Sequence, residues 1–265
     1  MSAVPKRDEI ATLLPQVVNE VGVVCSGSGE ARIKEDGSVV TELDYRLQGA
    51  IAEALGARFP QIPLLGEEML HSEQKAILEA SHSGVWCLDP LDGTTNYSSG
   101  FPLFGVSLAL IVGQQVILGV VYDPVRDEVF SAGEDAGAFL NGAPLATAGE
   151  HAIKEAVAVV DYKRLTGRLA ERLVRSPPYR SQRNLGSTVL EWCWLAAGRF
   201  QLYLHGGQKL WDYAAGSLVL KEAGGWSTSF DRNPMRFGSL VKRPVVAATD
   251  RDLYKQWMDW VEKNR

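Results

Sequence analysis

A chain of 265 residues that is 46% hydrophobic can bury a large core, which excludes a disulfide-stapled miniprotein and a disordered tail. Lysine and arginine number 27 against 32 aspartates and glutamates, a formal charge of -5, and no basic run tracks a phosphate backbone, so nucleic acid is not an expected partner. The three cysteines, Cys25, Cys87 and Cys193, form no CxxC pair, which points to reduced thiols in a cytoplasmic protein rather than to a disulfide framework or a thiolate zinc site.

The stretch Met1 to Leu14 lacks the continuous apolar run of a secretory signal. Ile10, Leu13, Leu14, Val17, Val18 and Val21 recur at helical spacing over Glu9 to Val24, with the Gly-Ser cluster Ser26 to Gly29 as the stop. After a polar turn at Lys34 to Ser38, a second amphipathic helix is predicted from Glu42 to Phe59, ending before Pro60. Ile62 to Leu65 reads as a strand that delivers Gly66, Glu67 and Glu68, and Val85 to Leu88 as another that ends at Asp89. The β-rich runs between Phe104 and Phe139, broken by Gly113, Asp123-Pro124 and Gly133, predict an antiparallel meander. Its apolar segments Leu103 to Val112 and Val116 to Tyr122 fall short of the roughly 20 residues of a membrane helix.

The second half alternates: a strand at Ala156 to Val160, helices at Leu165 to Val174 and Ser187 to Ala197, a strand near Phe200 to Leu204, a helix from Trp211 to Ala223, then a strand at Val245 to Ala248 and a helix at Asp252 to Val261. No repeat or charge block divides the chain. The expectation is one α+β domain over residues 1–265, with an N-terminal part of about 1–145 and a C-terminal part of about 146–265.

Chemistry concentrates in Asp89-Pro90-Leu91-Asp92-Gly93-Thr94-Thr95-Asn96. An apolar strand runs into two aspartates three apart, with Pro90 fixing φ between them and Gly93 permitting a sharp turn into a helix start at Thr94. Like charges held that close repel unless a cation or a proton lies between them, and hard oxygen ligands on a rigid turn suit Mg²⁺. The amides of the Gly93-Thr94-Thr95 turn are aimed to receive an anion such as phosphate. Taken alone, the same residues also make an ordinary Asx turn and helix cap, Glu67 and Glu68 a solvated loop, and Asp212 an N-cap.

Gly66-Glu67-Glu68, the Asp89 to Asn96 stretch and Trp211-Asp212-Tyr213-Ala214-Ala215-Gly216 together resemble, in order and spacing, the three signatures of the inositol monophosphatase family. Val40-Thr41-Glu42-Leu43-Asp44 resembles its upstream element. The resemblance implies a layered αβαβα sandwich of the inositol monophosphatase and fructose-1,6-bisphosphatase type, usually a homodimer, which hydrolyses small phosphate monoesters with two or three Mg²⁺ ions and is often inhibited by Li⁺. It places one metal on Glu67, Asp89 and the Leu91 carbonyl, a second on Asp89, Asp92 and Asp212, and a third, weaker ion at Glu67. It makes Asp44 and Thr94 the pair that orients the attacking water, with Glu67 the third residue of the catalytic set, and gives the phosphate to the Gly93 and Thr94 amides. It also sets Asp92 and Asp212 beside the substrate.

The alcohol half of the substrate is set elsewhere. A glutamate seven positions before the Trp-Asp aspartate contacts inositol hydroxyls in the animal enzymes, and here that position is His205. An imidazole can meet a polyol hydroxyl when neutral, or a second phosphate or a carboxylate when protonated. Gly186 and Ser187 resemble the family's segment near the substrate, and Lys209, Arg180 and Arg183 are candidate anion contacts or, as the ordinary alternative, solvated surface cations. His71, His82 and His151 fall in polar stretches, and Trp192, Trp194, Trp211 and Trp226 read as core or dimer contacts. The expected substrate is inositol monophosphate or a related polyol or sugar phosphate. The alternatives are a fructose-1,6-bisphosphatase, a histidinol-phosphatase, a 3'(2'),5'-bisphosphate nucleotidase or, outside catalysis, an accessory partner of RNA polymerase.

Overall fold

Helix α1 (Arg7–Val21) turns Ile10, Leu13, Leu14, Val17 and Val18 to one buried face and closes at Gly22, whose left-handed backbone lets its N–H reach the Asn19 carbonyl. The helix therefore stops ahead of the Gly-Ser cluster. The computed structural model describes residues 5–23, 31–34, 37, 39–80, 84–147, 149 and 151–265. Cys25, the Ser26 to Gly29 cluster, Asp36, Ser38 and His82 lie outside the described residues.

Strands β1 (Ala31–Ile33) and β2 (Val39–Thr41) pair antiparallel, and β2 runs straight into α2 (Glu42–Arg58). Next come β3 (Leu64–Gly66), α3 (His71–Ala80), β4 (Val85–Asp92) and the short α4 (Thr94–Ser98). The meander is β5 (Gly105–Val112), β6 (Gln115–Asp123), β7 (Glu128–Gly133), β8 (Ala138–Leu140) and β9 (Ala143–Leu145). The second half holds β10 (Val157–Asp161), α5 (Gly167–Arg175), β11 (Ser181–Arg183), α6 (Thr188–Ala196), β12 (Leu202–Gln208), α7 (Leu210–Glu222), β13 (Trp226–Thr228), β14 (Arg243–Ala248) and α8 (Arg251–Asn264). Helix α3 was not among the predicted elements; only one of its residues, Gln74, is buried, so it carries little apolar periodicity.

Strands β3 to β9 lie in sequence order in one sheet of seven, with β3 parallel to β4 and every later pair antiparallel, as the meander predicts. The other sheet has five strands in the order β11-β10-β12-β14-β13. Alternation along the strands sends residues to opposite faces. Trp86, Leu88, Leu108 and Leu110 pack against α1 and α2, while Cys87, Ala109 and Ile111 face α6 and α7. From the five-stranded sheet, Val159, Tyr203, Val245 and Ala247 meet those same two helices, and Val160, Leu202, Leu204 and Val246 face α5 and α8. The layers are therefore α1/α2, sheet, α6/α7, sheet, α5/α8, the αβαβα sandwich expected. Helix α7 is buried on nearly every side because it lies between the two sheets.

Candidate active site

The carboxyl ends of β3 and β4 lie side by side, and the Glu67 N–H donates to the Leu88 carbonyl at 3.1 Å, so Glu67 is held next to Asp89. The strand does not end at Asp89, as read from the sequence, but continues to Asp92 through an irregularity in its pairing with β5. Pro90 offers no N–H there, and the Leu91 N–H turns onto the Asp89 carboxylate at 3.2 Å. Gly93 follows in the left-handed region with φ 89. A β-carbon on it would lie 3.0 Å from the Leu103 carbonyl oxygen and 3.2 Å from the Phe104 α-carbon, so glycine is required for both reasons.

Asp92 is fastened from the start of α6. One oxygen accepts from the Ser187 hydroxyl (2.7 Å) and the Val189 N–H (2.9 Å) at the start of α6, the other from Thr188 (3.2 Å). Asp212 is the third residue of α7 and accepts the Lys209 N–H at 2.7 Å, so the N-cap is Lys209 and the aspartate closes the turn from inside the helix. Glu67 accepts from the Lys209 ammonium at 3.1 Å with Lys34 at 3.7 Å, and Glu68 is taken by Lys34 at 2.6 Å.

Burial and mutual repulsion dominate the electrostatics. Burial, then the charges of Glu67 and Asp92, push the Asp89 and Asp212 carboxyls well above the ordinary range. Asp92 is pushed up to about 6 by burial, held from going higher by its hydroxyl and amide donors. Such a set of hard oxygen donors favours a small divalent cation, which removes the repulsion that protons otherwise relieve. Among the described residues no three acid, imidazole or thiol side chains already form a ligand cage. Mg²⁺ keeps several waters and needs few carboxylates, so the donor set fits it.

Asp44 lies at the edge of this group. One of its oxygens accepts the Thr41 N–H (2.8 Å) and hydroxyl (2.6 Å), a capping box that roots it at the start of α2. The other is 3.2 Å from the Thr94 hydroxyl, which also lies 2.9 Å from the Leu91 carbonyl. Burial raises the Asp44 carboxyl above its usual value. As the first residues of α4, Thr94 and Thr95 have N–H groups without acceptors inside the helix.

Glu67, Asp92, Thr94 and Asp212 form the floor of a cleft of 440 Å³ and Asp161, Lys163, Arg164, His205 and Lys242 its far wall, while Asp89 and Asp44 are buried outside its lining. Gly186 lines it with φ 79, its loop pinned where the Asn96 amide donates to the Leu185 and Leu103 carbonyls. Two expected substrate contacts, Ser187 and His205, are both buried. Ser187 is fully buried behind Asp92, to which its hydroxyl is committed, and Thr188 faces the cleft instead. His205 is 3% exposed; its Nδ1 accepts the Gly207 N–H at 3.1 Å, and its Nε2 lies 3.4 Å from Asp161. Burial holds the imidazole below its ordinary pKa, and the ring lines the cleft while leaning on Asp161. Asp161, across the strand pair from His205, is the carboxylate of the far wall. Arg180 and Arg183 are exposed away from it, and Arg183 bonds within its own strand.

Sequence reading missed Glu191. Fully buried in α6, it accepts the Leu185 and Gly186 N–H groups, each at 3.2 Å, and the Tyr203 hydroxyl at 2.8 Å. Burial pushes it up to about 8. A lone acid inside the apolar run from Val189 to Leu195 was the available signal. Of the tryptophans, Trp192 and Trp211 are in the core, and Trp226 is 40% exposed with Arg251 over its ring.

The sequence profile of the inositol monophosphatase family matches residues 8–263. Inositol monophosphatase 1 of Solanum lycopersicum is 34% identical over 228 residues, 83% of this chain and 81% of the relative. A Nus factor SuhB from Pasteurella multocida is also 34% identical over 228 residues, covering 84% and 82% respectively. Among solved structures, the Thermotoga maritima IMPase superposes with a TM-score of 0.82 at 28% identity over 97% of each chain. The chain belongs to the inositol monophosphatase family.

Proposed function

We propose that this member of the inositol monophosphatase family is a Mg²⁺-dependent phosphatase that hydrolyses a small phosphorylated polyol or sugar by direct attack of water. The observation that carries this reading is that Glu67, Asp92 and Asp212, from three distant segments, line one cleft, with the buried Asp89 within reach of their charges and Thr94 of the lining joined to Asp44. Glu67, Asp89 and the Leu91 carbonyl would hold one ion, and Asp89, Asp92 and Asp212 a second. When bound, Mg²⁺ lowers the pKa of water, neutralises phosphate oxygens and stabilises the departing alkoxide.

The chain's own residues supply position and proton transfer. Thr94 donates to Asp44, which leaves its oxygen lone pairs to receive a hydrogen from the attacking water and aim that water at phosphorus. Asp44, raised by burial, is suited to share the water's proton. The first N–H groups of α4 receive the phosphate oxygens. Lys209, on Glu67, adds positive charge at the same end of the cleft.

The test is phosphate release from inositol 1-phosphate, fructose 1,6-bisphosphate, histidinol phosphate, adenosine 3',5'-bisphosphate and glycerol 2-phosphate, with and without Mg²⁺ and with Li⁺. Mg²⁺-dependent turnover of at least one is expected; no release from folded, Mg²⁺-loaded protein would sink the reading. The equal likeness to a protein named Nus factor SuhB supports a second reading, a protein-partner role beside catalysis. Cells carrying Asp89→Asn separate the two, because a partner role survives the loss of turnover.

A further inference from the structure

The far wall of the cleft is built around a close backbone approach. Strand β10 ends at Asp161, which pairs in register with His205 of β12, and the chain then makes a single 3₁₀ turn over Tyr162–Arg164. That turn lies against Gly206, where a β-carbon would fall 1.6 Å from the Arg164 carbonyl oxygen. Only glycine allows the contact, and the contact presents Lys163 and Arg164 to the cleft. From the other side, the β12–β14 ladder breaks between His205 and Gln208, and Lys242 packs over Gly207. The cleft thus meets three cations along one edge.

Their partners differ. Asp161 accepts the Lys163 backbone N–H at 3.0 Å, and its other oxygen lies 3.3 Å from Arg164 Nε and 3.4 Å from His205 Nε2. The Asp161 charge is thereby matched by Arg164, with a neutral His205 holding it in place. The Lys163 and Lys242 ammonium groups make no hydrogen bond or ion pair among the described residues, although both border the cleft. A neutral alcohol leaves this pair of positive charges unused, whereas a second anion opposite the phosphoryl group complements them.

We infer that the alcohol half of the substrate carries a second anionic group, a phosphate or a carboxylate, which docks on Lys163 and Lys242 while Asp161 accepts from a hydroxyl between the two ends. This rests on the phosphatase reading and deepens it. His205 is a positioning residue here: it acts on substrate through Asp161.

The experiment compares matched pairs in Mg²⁺. Fructose 1,6-bisphosphate against fructose 1-phosphate tests phosphate as the second anion, and 2-phosphoglycerate against glycerol 2-phosphate tests carboxylate. In wild type, kcat/KM for the better anion-bearing substrate exceeds its partner by about tenfold or more, and rising salt erodes the difference. The double variant Lys163→Ala, Lys242→Ala collapses that ratio about tenfold through KM, and Lys163→Arg, Lys242→Arg restores it. A wild-type ratio near one in both pairs, or a double variant that lowers both members equally, overturns the inference. Equilibrium binding of the same ligands to folded Asp89→Asn protein separates the two failures. Tight, lysine-dependent binding of the anion-bearing ligand without wild-type hydrolysis of any substrate removes the phosphatase reading alone. Normal hydrolysis with no lysine-dependent preference removes the inference alone.

Discussion

Asp89, buried, and Asp212, partly buried at the cleft, are tied to backbone N–H groups and pushed upward in pKa by burial and then by the charges of Glu67 and Asp92, whereas the Arg164 side chain on the far wall is 50% exposed and Lys163 and Lys242 are exposed beside it. The floor residues come from contiguous motifs at the ends of central elements. The wall comes from a one-turn 3₁₀ segment, a strand irregularity and the loop before β14. Groups that must meet a cation and a phosphate have little freedom to differ, because each is fixed by several others; groups that meet the variable alcohol can change without disturbing the sheets.

That division has measurable edges. Asp89→Asn and Asp212→Asn each remove a charge from the coupled acids, and we expect turnover to fall about 10³-fold or more with a native circular dichroism spectrum. Near-normal kcat in either folded variant would falsify the division. Thr94→Ala should lower kcat by about 10²-fold and leave KM within a few-fold, since the hydroxyl positions water. A change confined to KM would move Thr94 to simple phosphate binding.

The third expectation concerns pH. In metal-free protein burial pushes Asp92 up to about 6 and Glu191 up to about 8, above the 3.8 and 4.5 of ordinary carboxyls, so the folded state holds extra protons between those limits. Their contribution to stability is complete below about pH 4 and is lost as pH rises through 6 and then 8. Thermal melts in EDTA should therefore give a falling Tm from pH 5 to 8.5, and Mg²⁺ should recover more of it at high pH than at low. Glu191→Gln keeps an acceptor for the Leu185 and Gly186 N–H groups and should flatten the upper part of the curve. A Tm that rises across this window contradicts the assignment. The smallest effect is expected from Gly206→Ala, which forces the Tyr162–Arg164 turn off β12 at a cost of about 1–3 kcal/mol. Chemical denaturation reads it, and an unchanged midpoint would show that the close approach is not needed.

The layered fold and the acids of the floor were legible in the chain because both depend on local pattern. The period of apolar residues in α1 and α2, the punctuation of the meander and the paired aspartates around Pro90 all act over a few residues. Helix α3 was missed because it buries too little to show a period. Ser187 and His205 were placed at the substrate by their neighbours in sequence, and the docking of α6 on β4 and the register of β10 with β12 then bring Ser187 onto Asp92 and His205 beside Asp161.

The sequence alone determined which residue types would gather for the chemistry: carboxylates at strand ends, a glycine at a left-handed turn, and a threonine at the first turn of a helix. Which side chains face the cleft was decided only by tertiary contacts. Asp161 and His205 are 44 positions apart in the chain (205 minus 161) yet opposite one another in register, and Lys242 reaches the same wall through a break in another strand pair. Such long-range placement follows from how the two sheets pack on α6 and α7, and no local period encodes it.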